Sequence, residues 1–189
     1  MATDEGRHLA PRVPPEAAMI VNLLNSRPHG AGDMFPDQLD KPETAGVILG
    51  LFGPPEAAAP ASERIDLIRG LRTVLLGMVW PQSETEADAR LAELNEYASS
   101  VTLRQDFSGQ GEVRLRQVGG DPVVGGITRA VADLMTADKW SRIRICDNSS
   151  CHHAFYDATR SRTQRWHSYE MCGNKANVAA YRARKKVES

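Results

Sequence analysis

The chain has 189 residues, 41% hydrophobic and 25% charged, enough for the core of one or two domains. No run approaches the roughly 20 apolar residues of a membrane span, and the opening lacks a basic-then-apolar leader, so a cytoplasmic protein with no membrane partner is expected. The net charge of -1 hides a split: residues 1–138 hold 12 Lys+Arg and 20 Asp+Glu, net -8, while residues 139–189 hold 11 and 4, net +7.

In chain order, residues 1–13 read as a loose arm. Glu16–Arg27 is expected to be helical, with Met19, Ile20, Leu23 and Leu24 at helical spacing. Gly30, Gly32, Asp33 and Pro36 make the next stretch turn-rich. A second helix is predicted with Asp40 as N-cap and Pro42 in its first turn, ending at Gly53-Pro54-Pro55. Residues 54–60 read as an Ala/Pro linker. Ser62 is placed to cap a long helix to Trp80, whose Ile65, Ile68, Leu71, Leu75 and Met78 form one apolar stripe. Glu84–Tyr97 reads as an amphipathic helix with Leu91 and Leu94 inward. Val101–Arg104 and Val113–Arg116 alternate apolar and polar around a Gly-rich turn, the pattern of a β-hairpin or a small meander. Asp121-Pro122 and Gly125-Gly126 read as breaks before a helix from Ile127 to Ala137 carrying Val131, Leu134 and Met135.

All three cysteines fall after this point, in the order Cys146-x4-Cys151, fifteen residues, His167-x4-Cys172. An odd cysteine count argues against a disulfide framework and suits a reducing compartment. Two chelating pairs of soft or borderline donors match a tetrahedral zinc, and a closed set of four indicates one structural Zn2+ rather than a catalytic ion with an open position. His152 and His153 lie near enough to stand in for His167, although their place beside Cys151 favours a surface or phosphate-facing role. His8 and His29 are expected to face solvent. Trp166 is expected to cover the metal, and Phe155 and Tyr156 to add apolar bulk. Thr159 is placed to cap a helical turn reaching Arg165, and Ala176–Lys186 to form a final basic helix with Cys172 at its start.

The residues Cys146, Cys151, Phe155-Tyr156-Asp157, Arg165-Trp166-His167 and Cys172-Gly173-Asn174-Lys175 resemble the CGNR zinc finger. Val21–Arg27, Leu39–Gly53 and Leu71-Arg72 resemble the ABATE domain that is normally fused to that finger. The chain departs from the finger's pattern twice. His167 stands where the family usually has cysteine, and both donors suit zinc. Lys175 replaces the motif's arginine, keeping the charge without the planar fork. The resemblance implies a stress-linked bacterial transcription regulator whose finger binds DNA.

The expected fold is α+β and helix-rich. Residues 1–138 form a mostly helical regulatory or dimerisation domain with one short hairpin, and residues 139–189 a small treble-clef-like finger. The candidate nucleic-acid contacts are Arg160, Arg162, Arg165, Lys175, Arg182, Arg184, Lys185 and Lys186. The partners expected are DNA, a second copy of the chain and a small-molecule effector in the acidic domain. The alternative is a zinc-stabilised protein- or RNA-interaction module without a specific DNA site. An enzyme is not expected, because no phosphate-binding glycine loop and no nucleophile–base set stands apart from the metal ligands.

Overall fold

The computed structural model describes residues 13–58, 61–108 and 111–187. The expected arm up to residue 12, with His8, lies outside the described residues, as do residues 59, 60, 109 and 110. The fold is helix-rich with two small antiparallel hairpins. Helix α1 spans Pro15–Asn25 with proline in its first turn, where the missing N–H costs nothing. Its Ile20, Leu23 and Leu24 are fully buried.

Helix α2 is Pro42–Leu49. Lys41, not Asp40, holds the cap position, because Asp40 is turned toward Arg69 in an ion pair. The helix also stops earlier than the run to Gly53 suggested, and the chain then turns through Gly50. The expected Ala/Pro linker is partly a short helical turn, Pro55–Ala58, with Ala57 buried against the core. Helix α3, Ser62–Val79, buries Ile65, Ile68, Leu71 and Leu75 as its stripe predicts, while Met78 packs at the rim. Ser62 makes no capping bond; Ala61 precedes the helix. Helix α4, Glu84–Ser99, is capped by Ser83, which accepts from Glu86 N at 3.1 Å. Its Leu94 is buried, but Leu91 is exposed, so only one of the two expected inward leucines faces the core.

The strands β1 (Thr102–Ser108) and β2 (Glu112–Gly119) form the predicted hairpin. Helix α5 is Pro122–Thr136 and starts five residues before the expected Ile127. Asp121 caps it, accepting from Val123 N at 2.9 Å and Val124 N at 3.1 Å, so the Asp-Pro pair opens the helix instead of breaking it. Gly125 and Gly126 lie inside its first turns and are buried. A Cβ on Gly126 would collide with the Phe52 carbonyl, and one on Gly125 with the Gln117 side chain. These glycines allow close packing and are not helix breakers. Val131 and Leu134 are buried, whereas Met135 is exposed.

After α5 comes a left-handed residue, Asp138, at φ 53°. Two short strands then pair, β3 (Ile143–Ile145) with β4 (Ala154–Tyr156). The expected domain boundary falls here, yet the packing runs across it: Ile143, Ile145 and Ala154 belong to the same apolar core as α1, α3 and α5. Asn25 at the end of α1 accepts from Ala154 N at 2.7 Å and donates to Ala154 O at 2.9 Å.

A buried polar node ties α3 to the turn after α1. Arg72, 6% exposed, donates to Ser26 Oγ at 2.7 Å and to Asp37 Oδ1 at 2.9 Å. Burial alone would raise the Asp37 carboxyl, but hydrogen bonds from Arg72 and Leu39 N and the charges of Arg72 and Arg69 hold it below its ordinary value. Arg72→Met removes the guanidinium that pairs with the largely buried Asp37 carboxylate, leaving it only Leu39 N and the more distant Arg69, and should cost about 3 kcal/mol, read from urea unfolding at pH 7. Because the folded Asp37 pKa is lowered, its contribution is complete above the unfolded value near 3.8 and disappears as pH falls through the folded value. The gap between wild type and Arg72→Met should therefore narrow below about pH 4. A gap that stays constant down to pH 2 would show that Asp37 is not the carboxylate Arg72 stabilises.

Candidate metal centre

Two chain segments build the site. The first is the β3–β4 turn. Cys146 follows β3, and its N–H donates to His153 O at 2.9 Å. Cys151 N donates to Asn148 O at 2.8 Å, while Asn148 Oδ1 accepts from Ser150 N at 3.1 Å. This side-chain turn folds the polar run between the two cysteines so that both sulfurs point inward. The second segment enters helix α6 (Asn174–Val187) through a π-helical turn, Tyr169–Gly173. Ser168 Oγ caps that turn by accepting from Met171 N at 3.2 Å, and Cys172 N donates to Ser168 O at 3.0 Å. A Cβ on Gly173 would stand 2.7 Å from the Tyr169 ring and 3.2 Å from Trp166, which explains the glycine after the last cysteine.

The ligand atoms of Cys146, Cys151, His167 and Cys172 all lie within 4.8 Å of one another. His167 presents Nδ1, 3.5 Å from Cys151 Sγ and 3.8 Å from Cys172 Sγ. A tetrahedral zinc with Zn–S about 2.3 Å and Zn–N about 2.0–2.1 Å sets sulfur and nitrogen about 3.6 Å apart, so the spacing fits. Burial and the neighbouring Cys172 and Cys146 sulfurs push the Cys151 thiol up to about 12. Three thiols this crowded ionise together only around a cation. Burial also lowers His167, which keeps the neutral imidazole that binds zinc. With four protein donors the site is closed, and the zinc is structural.

His152 and His153 are not ligands, and neither is simply a surface residue. Burial and the nearby His167, His29 and Arg27 lower His153 to about 4. Its ring nitrogens lie 3.2 Å from His29 Nε2 and 3.1 Å from Asn25 Nδ2. His29, expected in solvent, is 8% exposed and stacks on Phe35 with ring centroids 4.8 Å apart. His152 lies against Trp80 at 4.9 Å. These corrections share one cause: the finger docks on α1, the turn after it and the end of α3, long-range contacts with no local sequence signal. Trp166 packs on Cys146, Phe155 and Cys172 as expected, with the Arg165 guanidinium 5.1 Å above its ring.

The loop 157–166 forms no helix; its single turn, Arg162 N to Thr159 O at 3.4 Å, ends in a left-handed Arg162 at φ 54°. Asp157, fully buried, accepts from Thr159 N and from Gln164 N, each at 2.9 Å, and so commits the backbone donors a helix would use. Thr159 serves Asp157 rather than capping a helix.

The candidate nucleic-acid residues separate into groups. Arg160 is exposed on the loop. Arg162 pairs with Asp138 at 3.0 Å and Arg165 with Asp147 at 2.8 Å. On α6, Lys175 and Arg182 are exposed and line one shallow groove with Asn174 and Val178. Lys185 is also exposed. The side chains of Arg184 and Lys186 lie outside the described residues. Two further cations, outside the candidate set, build the finger: Arg142 donates to Asp157 O and Thr159 O, and Arg144 to Arg162 O.

Two family models match the chain. Residues 17–138 match the ABATE family, described as "Putative stress-induced transcription regulator". Residues 142–185 match the CGNR zinc finger. No curated protein matches the chain at a significant level.

Removing zinc should release the π-helical turn and α6 while leaving the β3–β4 hairpin docked, because Asn25 and the shared core hold it. Hydrogen exchange on the chelator-treated protein and on Cys172→Ser checks this: amides of 169–187 should lose protection by at least about tenfold, and those of Ile145 and Ala154 should keep it. Equal protection of α6 with and without metal would contradict a structural zinc. His167→Cys should retain one zinc per chain.

Proposed function

The chain belongs to the ABATE family, and from that membership and the charge carried by its finger we propose that it is a DNA-binding transcription regulator. The carrying observation is the exposed basic edge of the zinc unit. Lys175 and Arg182 stand seven residues apart on one face of a helix whose first turn is fixed by a zinc ligand. Zinc therefore determines the direction in which that face points.

Phosphates neutralised by lysine and arginine release counterions, which gives such a surface affinity for any DNA; base contacts then supply specificity. Lys175 offers a point charge where an arginine would offer a bidentate fork, so its role here is a phosphate contact. Arg160 and Lys185, both exposed, extend the basic surface, and Arg162 and Arg165 join it by exchanging their aspartate partners for phosphate. The N-terminal region, net -8 over residues 1–138, is repelled by DNA and keeps the contact confined to the finger. One small finger buries less surface than a specific site usually requires, so the N-terminal domain serves to pair two copies. It also holds the effector: an open groove of about 1320 Å³ lies beside the β1–β2 hairpin, lined by Leu51, Phe52, Pro54, Leu115 and Arg129.

The test is selection of bound fragments from a genomic DNA pool by zinc-loaded protein across a salt series. A common enriched site that survives moderate salt is expected. Lys175→Ala and Arg182→Ala should each lower the log-affinity versus log-salt slope by about 1. Binding that enriches nothing, with slopes unchanged in both variants, would move the assignment to a protein- or RNA-interaction module.

A further inference from the structure

The β1–β2 hairpin is a two-stranded sheet, and no further strand pairs with the outer edge of β1 among the described residues. Strand β2 is the inner one: Gln117 reaches from it to the start of α5, donating to Asp121 O at 3.0 Å. An isolated two-stranded sheet is marginal in water, and an unpaired edge invites a further strand. One face of this hairpin is also apolar and uncovered. Leu103, Phe107, Val113 and Leu115 share it by register and are 43, 76, 53 and 52% exposed.

The order of residues along β1 says what can pair there. Around Gln105 the strand reads Thr102-Leu103-Arg104-Gln105-Asp106-Phe107-Ser108. It is chemically complementary to its own reverse. A second copy laid antiparallel with the partner's Gln105 opposite Gln105 sets Arg104 against the partner's Asp106, and Asp106 against the partner's Arg104. It also sets Leu103 against the partner's Phe107. Opposite residues in antiparallel strands share a face, so the exposed apolar side chains of the two copies join into one strip.

The charges favour this partner over others. Within one chain Arg104 lies opposite Arg116, a like-charge pair, and makes no ion pair among the described residues. Arg116 instead reaches Asp106 at 3.1 Å. The partner's Asp106 would give Arg104 its missing counter-charge. A parallel copy in the same register would set arginine on arginine and is disfavoured.

We propose that two copies of this chain associate through the outer edges of their β1 strands, forming a continuous four-stranded antiparallel sheet with its two-fold axis at Gln105. This rests on the reading of the N-terminal domain as a pairing unit and identifies its surface. The interface is isologous, so it closes at two copies and leaves no free β1 edge.

The test uses the full-length, zinc-loaded protein. Sedimentation should give a dimer for the wild type. Arg104→Glu sets like charges against the partner's Asp106 twice and should raise the dimer dissociation constant about tenfold or more, with an unchanged far-UV spectrum. Directly opposed antiparallel residues have Cα atoms about 4.5–5.5 Å apart, within disulfide range. Gln105→Cys should therefore form a covalent dimer under mild oxidation. Thr102→Cys, about 20 Å from its counterpart at about 3.3 Å per residue, should not. A wild-type dimer whose mass is insensitive to Arg104→Glu and whose Gln105→Cys variant does not cross-link would overturn this interface while leaving dimerisation standing. A wild type that is monomeric at all concentrations would overturn both.

Discussion

Asn25 determines how the molecule is assembled. Its amide accepts from Ala154 N and donates to Ala154 O, doing for β4 what a neighbouring strand would do. It sits at the end of α1, buried, with His153 on its other side. Both hydrogen bonds are directional, and a buried amide left unpaired is costly. Helix and hairpin are therefore fixed in one relative position. The rest follows from that. Ile143, Ile145 and Ala154 complete the core of the N-terminal helices, and the zinc ligands Cys146 and Cys151 emerge from a turn whose base is already anchored. The metal then needs only to capture His167 and Cys172 to orient the last helix.

The readable parts of the sequence were those governed by local periodicity or ligand spacing. The α3 stripe, the β1–β2 alternation and the Cys-x4-Cys and His-x4-Cys pairs each concern residues within a few turns of one another, and the structure brings all four metal donors together. What sequence could not show was set by distant partners. Gly125 and Gly126 read as breakers by composition, but the Phe52 backbone approaches Gly126 so closely that only glycine fits, and the Gln117 side chain packs onto Gly125. Asp40 looks like a cap until Arg69 is placed beside it. His29 and His153 appear solvent-facing because the contact between them spans 124 positions. Thr159 had the chemistry of a helix cap, but a fully buried Asp157 two residues earlier had the stronger claim on the loop's donors.

The eleven Lys and Arg residues of 139–189 are not equivalent. Arg142 and Arg144 hold the loop 157–166 by donating to its carbonyls. Arg165 doubles as the lid on Trp166. Lys175 and Arg182 face outward from α6 with no such duty visible in the packing. A count of basic residues thus overstates the charge presented to a partner, and the division between fold and surface emerges only from the hydrogen bonds.

The ion pairs of Arg162 with Asp138 and of Arg165 with Asp147 carry a consequence for that surface. Each carboxylate already occupies its arginine, so an incoming polyanion meets these two sites as a competitor. It must displace an internal anion and then tolerate it nearby. Both pairs are largely solvent-exposed and worth only about 0–1 kcal/mol each, so the two aspartates dim the positive potential at these positions without closing them.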